Sequence, residues 1–543
     1  MKTNSILLIL SWILIAELSL AQTTFQKTYS ALGSNAGYEV KQTKDSNYIV
    51  CGYVEGAFNS NDDFRNDYNC NPTSIGMAKI LLMKINNTGD TLWTKLFGDS
   101  TTKSFGSSVV QDFDSGYVLT GSTESSGAGN ADAILLKTDQ DGNITWTKTY
   151  GGLSFDGGSK LVQTNDSGFI IAGITHSYGT LTRDIYLIKT DKIGDTIWTR
   201  TYGGQGYDAA SSVLLTYDGG YLVAGSTDSF TADSLDILLI KTNSVGDTLW
   251  TKTYGGIRND ECFSALQTAD SNYLLTGLTS SIGAGGYDIY VMKINNAGNI
   301  IWNKTYGGVN NELGYALKQT DNGGFIMAGA SSSPGVMDES GFVIAANDNG
   351  DTLWTKGYAP NGVAGFYDVN QTYDGGFIFS GSELQPGAWF NIYLVKTDSL
   401  GNSACDNVNI SITVGNQMLQ ENNIPLMISS GSMVTAPAIT TGSGIGVNAL
   451  CVTGFDEVKN NSLIQVLPNP FQSEFYLKGT KANSMIRLFN ITGKQILNQK
   501  TSDDETKINT ENLSFGFYLL NYTEGNKSMN LKLIKNQADV TKW

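Results

Sequence analysis

Gly194-Asp195-Thr196-Ile197-Trp198-Thr199-Arg200-Thr201-Tyr202-Gly203-Gly204 returns 52 residues later as Gly246-Asp247-Thr248-Leu249-Trp250-Thr251-Lys252-Thr253-Tyr254-Gly255-Gly256. Its tryptophan stands at positions 93, 146, 198, 250, 302 and 354, at spacings of 53, 52, 52, 52 and 52 residues. One large residue held to such a period marks a single structural unit repeated in tandem.

Each period reads as four short strands. The Trp strand is followed by Ser211-Ser212-Val213-Leu214-Leu215, a turn at Asp218-Gly219-Gly220, then Tyr221–Ser226, a loop of changing sequence, and Asp236–Lys241. Apolar runs of this length bounded by Asp and Gly turns are strands, and four of them per repeat is the signature of propeller blades. A β-solenoid competes, but its coils are shorter. Phe25-Gln26-Lys27-Thr28-Tyr29 aligns with the Trp strand, and no Trp strand follows the last repeat. Seven Trp-type strands and seven three-strand sets therefore balance only if the first strand completes the last blade, which also removes two open edges. The predicted fold is all-β: a seven-bladed propeller over residues 22–404, closed by its N-terminal strand.

The periodic tryptophan is expected to fill the blade core. A buried aromatic covers ~150–250 Å², worth about 4–6 kcal/mol as an upper bound, so Trp250→Ala should cost roughly 3–5 kcal/mol.

Outside the repeats, Met1-Lys2, an apolar run from Ile6 to Ala16 and the small-residue site at Ser19-Leu20-Ala21 read as a secretory signal, residues 1–21, with cleavage between Ala21 and Gln22. No later apolar run is long enough for a membrane span. The net charge of −16 argues against nucleic acid or an anionic membrane as partner. Five cysteines are too few for a disulfide scaffold. Cys405 with Cys451, and Cys51 with Cys70, are candidate bridges; Cys262 reads as a buried thiol. Residues 405–460, rich in Ser, Thr, Gly and Val, suggest a linker or extended strands. From Leu467 onward, alternating strands at 461–538 predict a small β-sandwich, followed by a terminal extension at 539–543.

The tail motifs Pro468-Asn469-Pro470, Ile486–Lys494 ending in Thr-Gly-Lys, Gly516-Phe517-Tyr518 and the basic-apolar Leu531–Lys535 resemble the type A sorting domain of type IX secretion. That resemblance implies a Bacteroidetes-type protein carried across the outer membrane by the type IX machinery, then released or held at the cell surface. The residues beyond Lys535 depart from the usual basic end. Tyr202-Gly203-Gly204 with Asp208, followed by Asp218–Gly225, is similar to bacterial secreted β-propeller repeats, and the Lys-Thr-x-x-x-Gly-Asp-Thr-x-Trp hairpin to quinoprotein-like propellers. Both likenesses speak to fold; function has to be argued from a site.

The turns Asp-Gly-Gly and Gly-Asp-Thr barely change between repeats and serve construction. The loop between the second and third strands changes every time: Glu124–Asp132, Thr175–Asp184, Thr227–Asp236, Thr279–Asp288, Ser332–Ser340 and Glu383–Asn391, swelling to Glu55–Ala78 in the first repeat. The face carrying these loops is the predicted binding face. Asp156, Asp208, Asp260 and Glu312 each lie ten residues after a tryptophan, with Asn35, Ser104 and Ala364 at the other equivalents. They would either form a partial acidic ring holding a cation or sugar hydroxyls, or accept backbone N–H bonds where each blade begins. Asp62, Asp63 and Asp67 sit in an oxygen-rich insertion where Ca²⁺ is conceivable, although the ligand register of a calcium loop is missing and a solvated loop fits as well. Trp389 and Phe390 lie off the tryptophan period, available for stacking on a sugar or packed on the rim. Asp-Thr-Leu and Asp-Thr-Ile triplets at Asp90, Asp195, Asp247 and Asp351 resemble bacterial O-glycan acceptors but sit in the constant turn.

His176 is the only histidine, and no Ser or Cys nucleophile has a partner, no phosphate loop opens a helix and no Cys/His cluster suits zinc. No cofactor is predicted. The expected function is a non-catalytic exported propeller binding carbohydrate or protein through the variable face. The alternative is an extracellular hydrolase or quinoprotein-like oxidoreductase using carboxylates there.

Overall fold

The computed structural model describes residues 22–403 apart from loop segments, of which 56–76 is the longest, the backbone of short strands between 407 and 453, and residues 465–535 with interruptions. The expected signal at 1–21, the insertion acids Asp62, Asp63 and Asp67, and Cys70 and Cys405 lie outside the described residues.

The described residues are all β. Each repeat forms an antiparallel sheet whose order follows the chain: in one, Asp208–Leu215, Tyr221–Thr227, Asp236–Thr242 and Thr248–Gly255. Among the described residues there are seven such sheets. The last lacks a Trp strand of its own, and Thr24–Ser30 takes that place by pairing with Phe390–Thr397, Phe25 opposite Lys396. The strand that opens each repeat, here called the inner strand, touches the inner strand of the following repeat. Val363–Gln371 of the last repeat touches Asn35–Gln42 of the first.

Every sheet carries a fifth strand. Residues 407–408, 413–415, 420–423, 427–429, 433–435, 441–442 and 446–453 pair in turn with the outer strands that contain Trp354, Trp302, Trp250, Trp198, Trp146, Trp93 and Phe25. The segment after the last repeat therefore walks back through the sheets in reverse order and covers their outer edges, which would otherwise be unpaired templates. Ile410 and Leu419 of this belt are buried in the inter-sheet cores.

The periodic tryptophans prove to be half-buried. The fully buried residue is the tyrosine four positions on, as at Tyr150, Tyr202, Tyr254, Tyr306 and Tyr358. The cost of roughly 3–5 kcal/mol for Trp250→Ala is then an upper bound. The ring is exposed on one side because its other side presses on the next sheet. A Cβ built on Gly194 would stand 2.8 Å from Trp146 Cζ3, and Gly194 has φ +80. Tyr150 Oη donates to the Gly194 carbonyl at 2.6 Å, and Lys148 Nζ reaches Asp195 at 2.9 Å. This three-part clasp recurs from sheet to sheet. Tyr202, Tyr254, Tyr306 and Tyr358 donate to the carbonyls of Gly246, Gly298, Gly350 and Gly401. Tyr29 of the N-terminal strand donates to Gly89 in the first repeat. Phe97 stands in the tyrosine place against Gly142, so that junction has no hydroxyl.

The constant aspartates are consumed in the same construction. Asp218 accepts from Thr216 Oγ1 at 2.5 Å and pairs with the buried Lys241 at 2.9 Å. The hydroxyls of Thr91, Thr196, Thr248 and Thr352 in the four glycan-like triplets are buried, so turn geometry accounts for them and a glycosyl group has no access in the folded chain.

Residues 455–543 form a separate compact unit. Gln465–Leu467, Glu474–Thr480 and Asp504–Asn509 make one sheet. Met485–Asn490, Gln495–Lys500, Gly516–Glu524 and Lys527–Lys535 make another. Phe475, Leu477 and Ile508 from the first share a core with Ile486, Leu488, Leu520 and Leu533 from the second.

Gly194 and Gly219 provide a controlled test of the clasp, since both have positive φ (+80 and +81) but nothing lies within 4 Å of a Cβ at Gly219. Each Gly→Ala substitution pays about 1–2 kcal/mol for the left-handed backbone. Gly194→Ala should lose about 1–3 kcal/mol more through overpacking. Equal denaturation midpoints for the two variants would show that the Trp–Gly contact contributes nothing.

Candidate functional site

Asp156, Asp208, Asp260 and Glu312, read from sequence as either a ligand ring or acceptors of backbone N–H bonds, are fully buried, each at 0% exposure. Asp156 accepts from Gly152 N at 2.7 Å and Ser177 Oγ at 2.6 Å, and Asp208 from Gly204 N at 2.8 Å and Ser229 Oγ at 2.6 Å. Asp260 is held by Gly256 N and Ser281 Oγ, and Glu312 by Gly308 N and Ser331 Oγ. Each carboxylate pins the crossing from an outer strand to the next inner strand, so of the two roles open from sequence the structure places these acids in the constructional one.

A second acid stands beside each of them, at the start of the third strand: Asp132, Asp184, Asp236 and Asp288. A Cβ on Gly203 would lie 1.9 Å from Asp184 Oδ1 and 2.7 Å from Asp208 Oδ2, so the two side chains converge on one glycine. Burial, then the neighbouring Asp260, pushes Asp236 up to about 7. Burial pushes Asp132 up to about 6, with Asp156 adding to it.

Trp389 and Phe390 are half-buried. The Phe390 carbonyl accepts from Asn35 Nδ2 at 3.3 Å and Phe390 lines the central cavity, so it belongs to the rim. His176 packs edge-on against Phe155, ring centroids 6.0 Å apart, and burial lowers its pKa. Cys51 and Cys262 are buried free thiols, both pushed up by burial. Among the described residues no three His, Cys, Asp or Glu side chains cluster as a metal site.

Residues not singled out from sequence line two cavities where the inner strands meet. At their centre runs an arc of rings in tilted and edge-on contact. Phe263 meets Tyr315 at 5.4 Å, Tyr315 meets Tyr367 at 5.6 Å and Tyr367 meets Tyr38 at 5.3 Å. Tyr38 continues to Tyr53 at 5.6 Å and Tyr53 to Phe105 at 5.2 Å. Serine replaces the ring at the equivalent positions of the second, third and fourth repeats, Ser107, Ser159 and Ser211. Above the arc, on the side of the variable loops, lies a funnel of about 510 Å³ whose wall includes Arg183, Tyr207, Asp228, Glu261, Tyr287 and Asn311. Ser159, Ser211, Phe263 and Tyr315 line both this funnel and a deeper cavity of about 460 Å³. Burial raises the Glu261 carboxyl above its usual range.

Around the funnel the connections into the inner strands end in exposed apolar side chains: Leu153 at 80%, Ile257 at 88% and Val309 at 70%. Tyr207, on the wall itself, is 54% exposed. The repeat position three residues before Asp156, Asp208, Asp260 and Glu312 holds Leu153, Gln205, Ile257 and Val309, and comparing it between repeats is the signal that would have found this rim.

Residues 465–536 match the family model described as the secretion system C-terminal sorting domain. The regulatory protein FlaEY of Caulobacter vibrioides is 27% identical over 138 residues, 21% of this chain and 14% of that protein. PorZ of Porphyromonas gingivalis, a surface component of the type IX secretion system, aligns over 84% of this chain and 64% of its own, with 11% identity and a TM-score of 0.31. A Dyadobacter fermentans protein of unknown function aligns over 68% and 97%, with 12% identity and a TM-score of 0.37. The chain thus spans a seventh of the curated relative and under two thirds of PorZ. No helix among the described residues is long and apolar enough to cross a membrane.

The raised carboxyls set a pH dependence. An Asp whose folded pKa exceeds its unfolded value lends stability while protonated, and that stability is lost as pH rises through the folded value. The windows here are about 6 for Asp132 and about 7 for Asp236. Lysine-paired acids such as Asp90 and Asp218 are lowered and act in the opposite sense in acid. Thermal midpoints should therefore peak near pH 5 and decline toward pH 8, with a shallower decline in Asp236→Asn. A rise between pH 5 and 8 would overturn the paired-acid assignment.

Proposed function

We propose that residues 22–453 form a closed seven-bladed propeller whose loop-side funnel binds carbohydrate, without catalysis, on a protein delivered by type IX secretion. The C-terminal sorting domain makes the chain a substrate of that machinery and its destination secreted or at the outer cell surface. The tail unit, with two sheets on one core, suits the sandwich form of an address module.

The observation that carries the binding reading is the funnel wall. Tyr207 and Tyr287 line it beside Arg183, Asp228 and Asn311. Apolar ring faces with a few convergent polar groups suit a sugar, whose C–H face stacks while its hydroxyls hydrogen-bond. The exposed Leu153, Ile257 and Val309 favour a second reading, a protein partner seated across the rim.

A glycan array probed with the mature chain separates the two. Specific binding that drops at least about tenfold in Tyr207→Ala, equivalent to about 1.4 kcal/mol, and persists in a Leu153→Ser, Ile257→Ser, Val309→Ser variant supports the funnel. No glycan bound by the wild-type chain sinks the carbohydrate reading, and release of shorter saccharides from a bound glycan would replace it with a hydrolase.

A further inference from the structure

The deeper cavity gathers three lysines in a chain whose net charge is −16. Each inner strand shifts register near its middle, between Gly37 and Glu39, Gly158 and Lys160, and Phe366 and Asp368 among others. Such bulges re-aim side chains, and Glu39, Lys41, Lys160, Lys318 and Asp368 all line the cavity.

Two of the three acids there, Glu39 and Asp368, are already committed. Glu39 Oε1 takes Lys41 and Lys160, each at 2.7 Å, while Oε2 takes Ser108 Oγ at 2.6 Å and Val109 N at 2.7 Å. Asp368 Oδ2 accepts from Asn370 Nδ2 at 2.9 Å and Val40 N at 3.2 Å, with Lys41 at 3.7 Å. Among the groups that act on Lys318, three ammonium groups thus face two carboxylates; the third acid of the lining, Glu339, acts on Tyr315 and Tyr367. No described carboxylate forms an ion pair with Lys318, whose nearest charged influence is Lys41. That like charge, then burial, lowers the Lys318 pKa to about 8. At neutral pH the group still carries its proton, and a buried charge without a counter-ion is costly.

The opposite wall supplies donors. Ser107, Ser159, Ser211 and Ser264 line the same cavity from four successive inner strands, and each hydroxyl can donate and accept. The volume of about 460 Å³ is that of a small-molecule site.

We propose that this cavity binds a small polar molecule bearing a carboxylate or phosphate, its anionic group between Lys318 and Lys41 and its body along the serine wall. The site lies beneath the funnel and does not depend on which ligand the loop face takes.

Calorimetry on the mature chain at constant ionic strength, with inorganic phosphate and glucuronate as probes and chloride as background, tests this. At least one probe should bind. Lys318→Gln should weaken it about ten- to hundredfold, the loss expected when a charged hydrogen bond is removed, while Lys318→Arg keeps it. Affinity in the wild-type chain should also fall above about pH 8, a readout that needs no variant. A paired Ser159→Ala, Ser211→Ala change that weakens glucuronate but spares phosphate would identify the acidic-sugar source, and equal weakening of both would identify the free anion. Absence of binding by both probes, or undiminished binding by folded Lys318→Gln, overturns the proposal. Loss of glycan binding through Tyr207→Ala concerns only the funnel and leaves this site standing.

Discussion

Everything in residues 22–453 depends on the contact between a tryptophan-strand and a glycine turn one repeat later. A four-stranded sheet has two faces to bury and cannot cover either alone, so its stability lies in the junction with its neighbours. The clasp makes each junction specific. The indole, or Phe25 in the N-terminal strand, lies over a glycine with positive φ, and the lysine or arginine two residues later reaches the Asp or Asn after that glycine. A side chain at the glycine would meet the ring, and any other residue would strain the turn. The repeat period is therefore fixed by geometry across the junction and only secondarily by what happens within one sheet.

The belt answers a different problem. Outer strands end the sheets, and seven open edges on an exported chain would invite intermolecular pairing. Short strands from 407–453 cover them in reverse order. Buried contacts such as Ile410 and Leu419, and the ion pair of Lys252 with Glu421, fasten the belt to the sheets. Inner edges need no such cover because they meet one another around the two cavities. Construction is thus concentrated at the periphery and at the turns, which leaves the inner-strand positions free to differ between repeats.

That division explains what could be read from sequence. Periodic residues report the clasp, so the strands, the turns and the pairing of Thr24–Ser30 with Phe390–Thr397 follow from the tryptophan spacing and strand arithmetic. The same periodicity left one reading open and misled in another. Asp156, Asp208, Asp260 and Glu312 repeat because Gly152 N and its equivalents need an acceptor, and a periodic acid looks the same in sequence whether it caps a crossing or holds a ligand. The tryptophan was assigned to the core because size and regularity favour burial, whereas the tyrosine four residues later is the buried one. The belt was legible only as a linker or extended strands, since six of its seven strands have two to four residues and carry no hydrophobic period, and their partners lie far away in sequence.

The functional residues escaped for the opposite reason: they do not repeat. The inner-strand position occupied by Tyr38, Phe263, Tyr315 and Tyr367 holds Ser107, Ser159 and Ser211 in the three other repeats, and the lysines of the deeper cavity occur in some repeats only. In a tandem array the residues every repeat shares serve the junctions, because each junction makes the same demand. A ligand placed near the common centre meets every repeat from a different direction. It must be recognised by residues that differ, with rings on one side and small hydroxyls on the other. Tyr207, Lys41 and Lys318 break the repeat beside these cavities, and residues that no junction requires are the kind that the proposed ligands would need.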